Sequence, residues 1–318
     1  MQTVLFAEWK QHVAVTRSRL LYAGARAHRS LPAFSPRAAI RTPPMAFVTG
    51  CGRSGTTVLG SLLSAIPGVT YLFEPFYLWA AVDDRTDVAG IYAPNADAHC
   101  LLRAEDVASS VSDNFTRVFM PRAGRSSRLL LEKTPMNCMR LAYIDKLVPT
   151  ARYIHILRHG VDVAESIGRM ASRRQLRYGS QLYNSWWGLN DRKWEILARD
   201  AIAQGYFPTT VRAIKDHVAR GACEWVMSLE EVRRSQPKLQ GRFLELRYES
   251  LVGTPEDELR RLVGFLALPA SDDWIANAAS TLQPRGTADK TIRLPEAVAG
   301  PFKGWIEKLG YNATIVIT

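Results

Sequence analysis

Cysteine is scarce in this chain, at four in 318 residues, and Cys51, Cys100, Cys138 and Cys223 form no CxxC pair. That spacing argues against a zinc site and gives no disulfide framework, so reduced thiols and a cytoplasmic protein are expected. Long apolar runs are missing as well. None approaches the ~20 residues of a membrane span, so no membrane span is expected. The stretch "LLYAGARA" near the start is too short, and too basic on its flanks, for a secretory signal. An organelle presequence shares this arginine-rich, acid-poor character, but a helix followed by a linker is the preferred reading. Acidic residues are in deficit, 30 against 41 Lys+Arg for a net charge of +11, which favours an anionic ligand. Residues 1–44 carry +6 of that excess, with Lys10, Arg17, Arg19, Arg26, Arg29, Arg37 and Arg41 against Glu8 alone. The rest of the chain is only mildly basic, and nucleic acid is not the expected partner.

Two regions follow. Residues 1–44 read as a basic helix over 4–28 and then a linker, "SLPAFSPRAAIRTPP", whose four prolines exclude regular structure. From Met45 to Thr318, strand-like apolar runs alternate with helical patterns. "MAFVTG", "RLLLEKTP" (128–135), "ARYIHILRHG" (151–160) and "GRFLELRYESLV" (241–252) read as strands. "GTTVLGSLLSAI", "MRLAYIDKLVP", "GVDVAESIGRMASRR" and "TPEDELRRLVGFLAL" read as helices, the last with Thr254 as N-cap and Pro255 in its first turn. Apolar strands each followed by a helix predict an α/β fold of three layers with a central, mainly parallel sheet. Functional groups are then expected at the carboxyl ends of the strands.

The first strand runs into Gly50-Cys51-Gly52-Arg53-Ser54-Gly55-Thr56-Thr57. This is the outline of a phosphate loop, except that Thr56 stands where a nucleoside-triphosphate loop has lysine. Its glycines allow backbone N–H groups to converge on phosphate oxygens, and the helix opening at Thr56 adds its positive dipole end. The cation is instead Arg53, at the loop apex, which suits a group attached to a single 5′-phosphate. No Asp-rich strand offers a magnesium ligand, and no metal is expected.

At these residues the chain resembles the sulfotransferases that use 3′-phosphoadenosine 5′-phosphosulfate (PAPS), a family with a P-loop-like α/β fold. "GRSGTT" is similar to their 5′-phosphosulfate loop, which implies cofactor contacts from Gly52, Arg53, Ser54, Gly55, Thr56 and Thr57. Family members carry an arginine for the 3′-phosphate at a strand end and a serine eight residues later, which match Arg158 and Ser166 in "ILRHGVDVAES". His159-Gly160 departs from the family's usual Asp/Asn-Pro at that point. "RYESLVGTPEDELRRLVGFLALP" resembles the segment whose tyrosine lies against the adenine, here Tyr248, and "GPFKGWIEKLG" loosely resembles the C-terminal segment that closes over the 3′-phosphate, with Lys303 as the matching cation. The resemblance covers roughly residues 45–310. It implies PAPS as sulfuryl donor, adenosine 3′,5′-bisphosphate (PAP) as product, and a carbohydrate or glycosylated small molecule as acceptor.

Sulfuryl transfer needs cations on the leaving group and a base for the acceptor hydroxyl or amine. Arg53 is the first cation and Lys133, in "LEKTP", the second; that element is similar to the "EKTP" of the glycan and tyrosyl-protein branches. Those branches use a glutamate a little over twenty residues beyond the loop cation, and Glu74 follows Arg53 by 21 residues. Burial in "YLFEPFYLW" would raise its pKa toward a useful range. Glu132 and His99 are the rival bases, Glu132 pointing away from Lys133 along a strand. Trp186, Trp187 and Trp194 are read first as core packing on a helix, with a stacking wall for a ring as the other possibility. The arginines of 169–177 read equally as flanking the cofactor or drawing an anionic acceptor and as a solvated helix face. Two further functions are weighed: a P-loop kinase with a degenerate loop, and a non-catalytic module binding a polyanion or nucleic acid. No motif names the acceptor or the oligomeric state.

Overall fold

The structure, a computed structural model, describes residues 2–30, 43–124, 126–173, 175–178, 181–284, 286 and 289–318. Its strands are β1 (Met45–Thr49), β2 (Val69–Phe73), β3 (Leu129–Lys133), β4 (Arg152–Leu157), β5 (Gln175–Tyr178), β6 (Gln181–Asn184), β7 (Gly188–Leu189), β8 (Phe243–Arg247), β9 (Thr291–Leu294) and β10 (Thr314–Ile317). Five of them build a parallel sheet in the order β2-β3-β1-β4-β8. The strands β5, β6 and β7 form a small antiparallel sheet, and β9 pairs with β10 in parallel.

Twelve α-helices accompany these strands among the described residues: α1 (Gln2–Ser30), α2 (Thr56–Ser64), α3 (Phe76–Val82), α4 (Ser109–Phe119), α5 (Leu141–Leu147), α6 (Gly160–Arg173), α7 (Arg192–Ala203), α8 (His217–Ser235), α9 (Tyr248–Gly253), α10 (Pro255–Leu266), α11 (Asp272–Thr281) and α12 (Glu296–Lys308). The period-2 alternation of strand side chains divides the core in two. Ala46, Val48, Leu129, Leu131, Ile154 and Ile156 face α2, α10 and α11, where Leu59, Leu63, Leu259, Leu262 and Ile275 meet them. Met45, Phe47, Leu130 and Tyr153 face the other layer, built on α3, α4, α5, α6, α8 and α12. Both faces of the sheet are covered, which is why its central strands β3, β1 and β4 are mostly apolar.

Local departures from the sequence reading have identifiable causes. The strand expected over 241–252 stops at Arg247, and Tyr248 opens α9. β2 escaped notice because its five residues run into the aromatic stretch of α3 with only Glu74 and Pro75 between them. The helix expected from Met139 begins as a 3₁₀ turn over Pro135–Arg140 before α5 takes over. Thr254 precedes α10, but its side chain does not cap it, since Oγ1 donates instead to the Ser250 carbonyl. The tryptophans do not share a helix: Trp186 and Trp187 lie in the turn between β6 and β7, and Trp194 lies in α7.

The second half of α1 packs along one face, while Leu20 and Leu21 stay exposed. Tyr22 and Ala25 are buried, Arg29 donates to the Ala81 carbonyl, and Arg19 donates to the Ile91 carbonyl. Residues 31–42 of the proline-rich linker lie outside the described residues.

Candidate functional site

Each of the five strands of the main sheet delivers a candidate site residue at its carboxyl end. The glycine loop follows β1, Glu74 follows β2, Lys133 ends β3, Arg158 follows β4 and Tyr248 follows β8. The loop's shape requires its glycines. Gly50 sits at φ +146°, where a Cβ would strike the Ile156 carbonyl oxygen, and Gly55 sits at φ +105° as the residue preceding α2. Arg53, at φ +74°, takes the same left-handed region without being glycine. Such a conformation costs of order 1–3 kcal/mol and is typical of ligand-holding loops. Helix α2 begins with no side-chain cap and no acidic residue in its first turn. Its first N–H groups are therefore left for an anion.

Beside this loop lies a cavity of about 460 Å³ lined by Arg53, Thr56, Arg158, Ser166, Arg169 and Tyr248. The Arg158 guanidinium stacks 4.4 Å from the Tyr248 ring centroid and donates from Nη1 to the Arg53 carbonyl at 3.0 Å. Arg53 Nε donates to Ser166 Oγ at 3.1 Å. Four of the expected cofactor residues are thereby tied into one cluster. Its single acid, Asp162, accepts from Lys290 Nζ at 2.7 Å and lies 3.9 Å from Arg158 Nε, so the wall stays cationic. Lys290 and Arg169 went unassigned in the sequence; only the arginine density of 169–177 pointed at the second. The donor set of three arginines, two hydroxyls and an aromatic face fits a nucleoside carrying two phosphates.

Lys133 and Glu74 form a second cluster where α2 meets β3. Lys133 Nζ is fully buried, 2.5 Å from Glu74 Oε1 and 3.0 Å from Thr57 Oγ1, and lies 4.1 Å from the Phe73 ring centroid. Burial lowers the ammonium pKa, an effect opposed chiefly by Glu74. The missing loop lysine thus has a counterpart delivered from β3. Glu74 is held at φ +43° with its N–H donating to the Lys133 carbonyl at 2.8 Å. Its side chain is 31% exposed rather than buried, so the enclosure expected from its apolar neighbours is only partial.

A second cavity, of about 180 Å³, opens on the other side of Glu74 and Gly52. Trp186 closes over Gly52 so tightly that a Cβ there would collide with the indole. Trp187 and Trp194 are fully buried, so one tryptophan of the three faces a cavity and two are core. Beneath Trp186, Lys193 and Glu224 form a buried pair at 2.8 Å, and Glu224 also accepts from Trp186 Nε1 at 2.9 Å. Nothing in the sequence spacing marked this pair.

The remaining candidates lie elsewhere. Lys303 sits on α12, largely exposed and 3.7 Å from Glu307, and does not line the cofactor-sized cavity. Glu132 is buried away from Lys133's partners, accepting from Trp79, Thr134 and Asn137, and burial pushes its carboxyl up to about 7. His99 pairs with Asp97 and Asp200, remote from both clusters. Among the described residues, no group of three or more His, Cys, Asp or Glu side chains is arranged to hold a metal ion, and no helix is long and apolar enough to cross a membrane.

A parallel sheet with a glycine phosphate loop after its central strand and a cationic cavity beside it defines a phosphate-binding α/β protein of the P-loop type. Within that class the chain belongs to the sulfotransferase family: the family's model matches residues 44–208, just over half of the chain. Its relatives include Nodulation protein NoeE of Sinorhizobium fredii (strain NBRC 101917 / NGR234), 26% identical over 239 residues, covering 70% of this chain and 50% of that protein. Protein-tyrosine sulfotransferase 1 of Danio rerio is 23% identical over 241 residues, covering 72% and 54%. The chain thus spans about half the length of these relatives. Among solved structures, the sulfotransferase domain from the Synechococcus PCC 7002 olefin synthase has 19% identity and a TM-score of 0.49, covering 85% of this chain and 96% of that one. The sulfotransferase domain from the Curacin biosynthetic pathway has 18% identity and a TM-score of 0.47, covering 85% and 99%.

Proposed function

We propose that the chain transfers the sulfuryl group of PAPS to a hydroxyl or amine of a small molecule or glycan, releasing PAP, and that it does so in the cytoplasm. The observation that carries this reading is the placement of Lys133. A phosphate loop without its own lysine receives a buried ammonium from β3, hydrogen-bonded to the loop helix through Thr57 and to Glu74. Cytoplasmic placement is supported by the four buried, unpaired thiols.

PAPS, as donor substrate, supplies the sulfuryl group. The glycine loop and the start of α2 hold the 5′-phosphate, and Arg158 with Ser166 holds the 3′-phosphate. Tyr248, already stacked against Arg158, offers the face for the adenine. Arg53 Nε is engaged with Ser166, so we assign Arg53 to binding the donor and Lys133 to the charge that develops at the leaving oxygen. Glu74 lies on the border with the second cavity, where the acceptor would enter, and takes the acceptor proton. The acceptor oxygen or nitrogen gains the sulfuryl group, and PAP leaves with the electron pair of the broken bond. The experiment is a transfer assay with labelled PAPS against a panel of glycans and small alcohols. Label transfer that Lys133→Met abolishes supports the reading, and absence of transfer to any acceptor, including an extract of the source organism, opposes it.

A further inference from the structure

The smaller cavity carries information about what it admits. Among the described residues, four charged side chains border it, and each has its charge satisfied inside the protein. Glu74 is paired with Lys133. Lys193 and Glu224 are paired with each other. Asp87, 5% exposed, accepts from the backbone N–H groups of Ile91, Tyr92 and Ala93 at 3.3, 2.7 and 2.7 Å. A charged group entering here would lose its hydration and meet no uncommitted counter-charge among the described residues, and such desolvation is costly. The remaining wall is apolar and aromatic, with Phe76, Ile91, Met136, Tyr183 and Trp186 among its members. In contrast, Ser185 is a lining residue whose Oγ is shielded from solvent and without a hydrogen-bond partner. An unmade bond at a buried hydroxyl costs stability, so a ligand group that completes it is favoured.

The wall has little freedom to supply a counter-charge by rearranging. Its 87–93 segment is gathered by the Asp87 carboxylate from within and fastened to α1 from outside. Ser18 Oγ lies 2.5 Å from Tyr92 Oη, Arg19 Nε donates to the Ile91 carbonyl at 2.9 Å, and the Tyr22 and Tyr92 rings stand 5.3 Å apart. At about 180 Å³ the cavity has room for about one ring, below the ~300 Å³ of an ordinary small-molecule pocket.

We propose that this cavity selects an uncharged, single-ring acceptor group and that Ser185 is a specificity-determining residue, hydrogen-bonding a second polar substituent on that ring. The proposal rests on the sulfotransferase reading for the word acceptor, but the charge preference belongs to the cavity itself. Three rings of nearly equal size test it: neutral 4-hydroxybenzyl alcohol, anionic 4-hydroxybenzoate and cationic 4-hydroxybenzylamine, titrated calorimetrically into the full chain with and without PAP. The neutral ring is expected to bind at least about tenfold more tightly than either charged one, in both conditions. Ser185→Ala is expected to weaken the neutral ring roughly 3- to 10-fold while leaving PAP affinity unchanged. Equal or tighter binding of a charged ring, no binding of the neutral ring, or an unaltered neutral affinity in Ser185→Ala would each overturn the proposal. Failure of PAP to bind would instead count against the sulfotransferase reading, and the titrations without PAP still decide the charge preference.

Discussion

Removing the charge of Glu74 perturbs the pair to which the proposed chemistry is assigned, and its effect on stability needs no acceptor to measure. Glu74→Gln keeps the side chain's size and an oxygen that can accept from Lys133, but it leaves the fully buried ammonium without its counter-charge. Breaking a fully buried pair costs about 3–5 kcal/mol. Glu74, however, is 31% exposed, and solvent screening reduces the figure to roughly 1–3 kcal/mol. For a chain of this size that is a fall of roughly 2–10 °C in Tm. Lys133→Met should cost less, because the stranded carboxylate can turn toward water while the buried ammonium and its desolvation are gone. The double variant should then be more stable than the sum of the singles implies, with a coupling of about 1–2 kcal/mol. Urea unfolding followed by tryptophan fluorescence gives all four stabilities. A Glu74→Gln stability within about 0.3 kcal/mol of wild type, or a coupling near zero, would refute the claim that the two side chains form a working pair.

Three further outcomes are expected. Arg158→Lys should weaken PAP about 10-fold and Arg158→Ala about 100-fold by calorimetry, because an ammonium cannot both stack on Tyr248 and donate to the Arg53 carbonyl; equal affinities in the two variants would contradict this. Glu132 has a folded-state pKa of about 7 against its ordinary 4.5, so between those values the folded protein holds a proton that the unfolded chain releases. Its contribution is therefore fully present below 4.5 and lost as pH rises through 7. Wild type should lose stability relative to Glu132→Gln between pH 5 and 8, and parallel profiles would argue against it. Finally, Ser18→Ala/Arg19→Ala should speed amide hydrogen exchange at 88–93 without altering exchange at 50–58; unchanged exchange at 88–93 would show that α1 does not hold that wall.

Much of this arrangement was legible in the sequence because it is local. The loop from Gly50 to Thr57, the spacing of Arg158 and Ser166, and the apolar runs of β1, β3 and β4 are each written within a dozen residues. What the sequence hid depends on contacts between distant segments. Lys133 stands opposite Thr57 only because β3 lies between β1 and β2 in the sheet, an order that no local pattern encodes. The Lys193–Glu224 pair joins α7 to α8, and α1 meets the 87–93 segment across some seventy positions of sequence. Lys303, a basic residue near a tryptophan, lies on a helix that keeps it off the cavity lining, while Lys290 stands by Asp162.

The loop is proposed to hold the phosphates of an adenosine nucleotide using protein cations alone. The most direct measurement is thermal unfolding of the full chain with millimolar PAP in the presence of EDTA. A rise in Tm, about 2.7 kcal/mol of added stability at a hundredfold excess over Kd, that is unchanged by magnesium and lost in Arg158→Ala is the result expected. No shift with PAP, or a shift that appears only when magnesium is added, would contradict it.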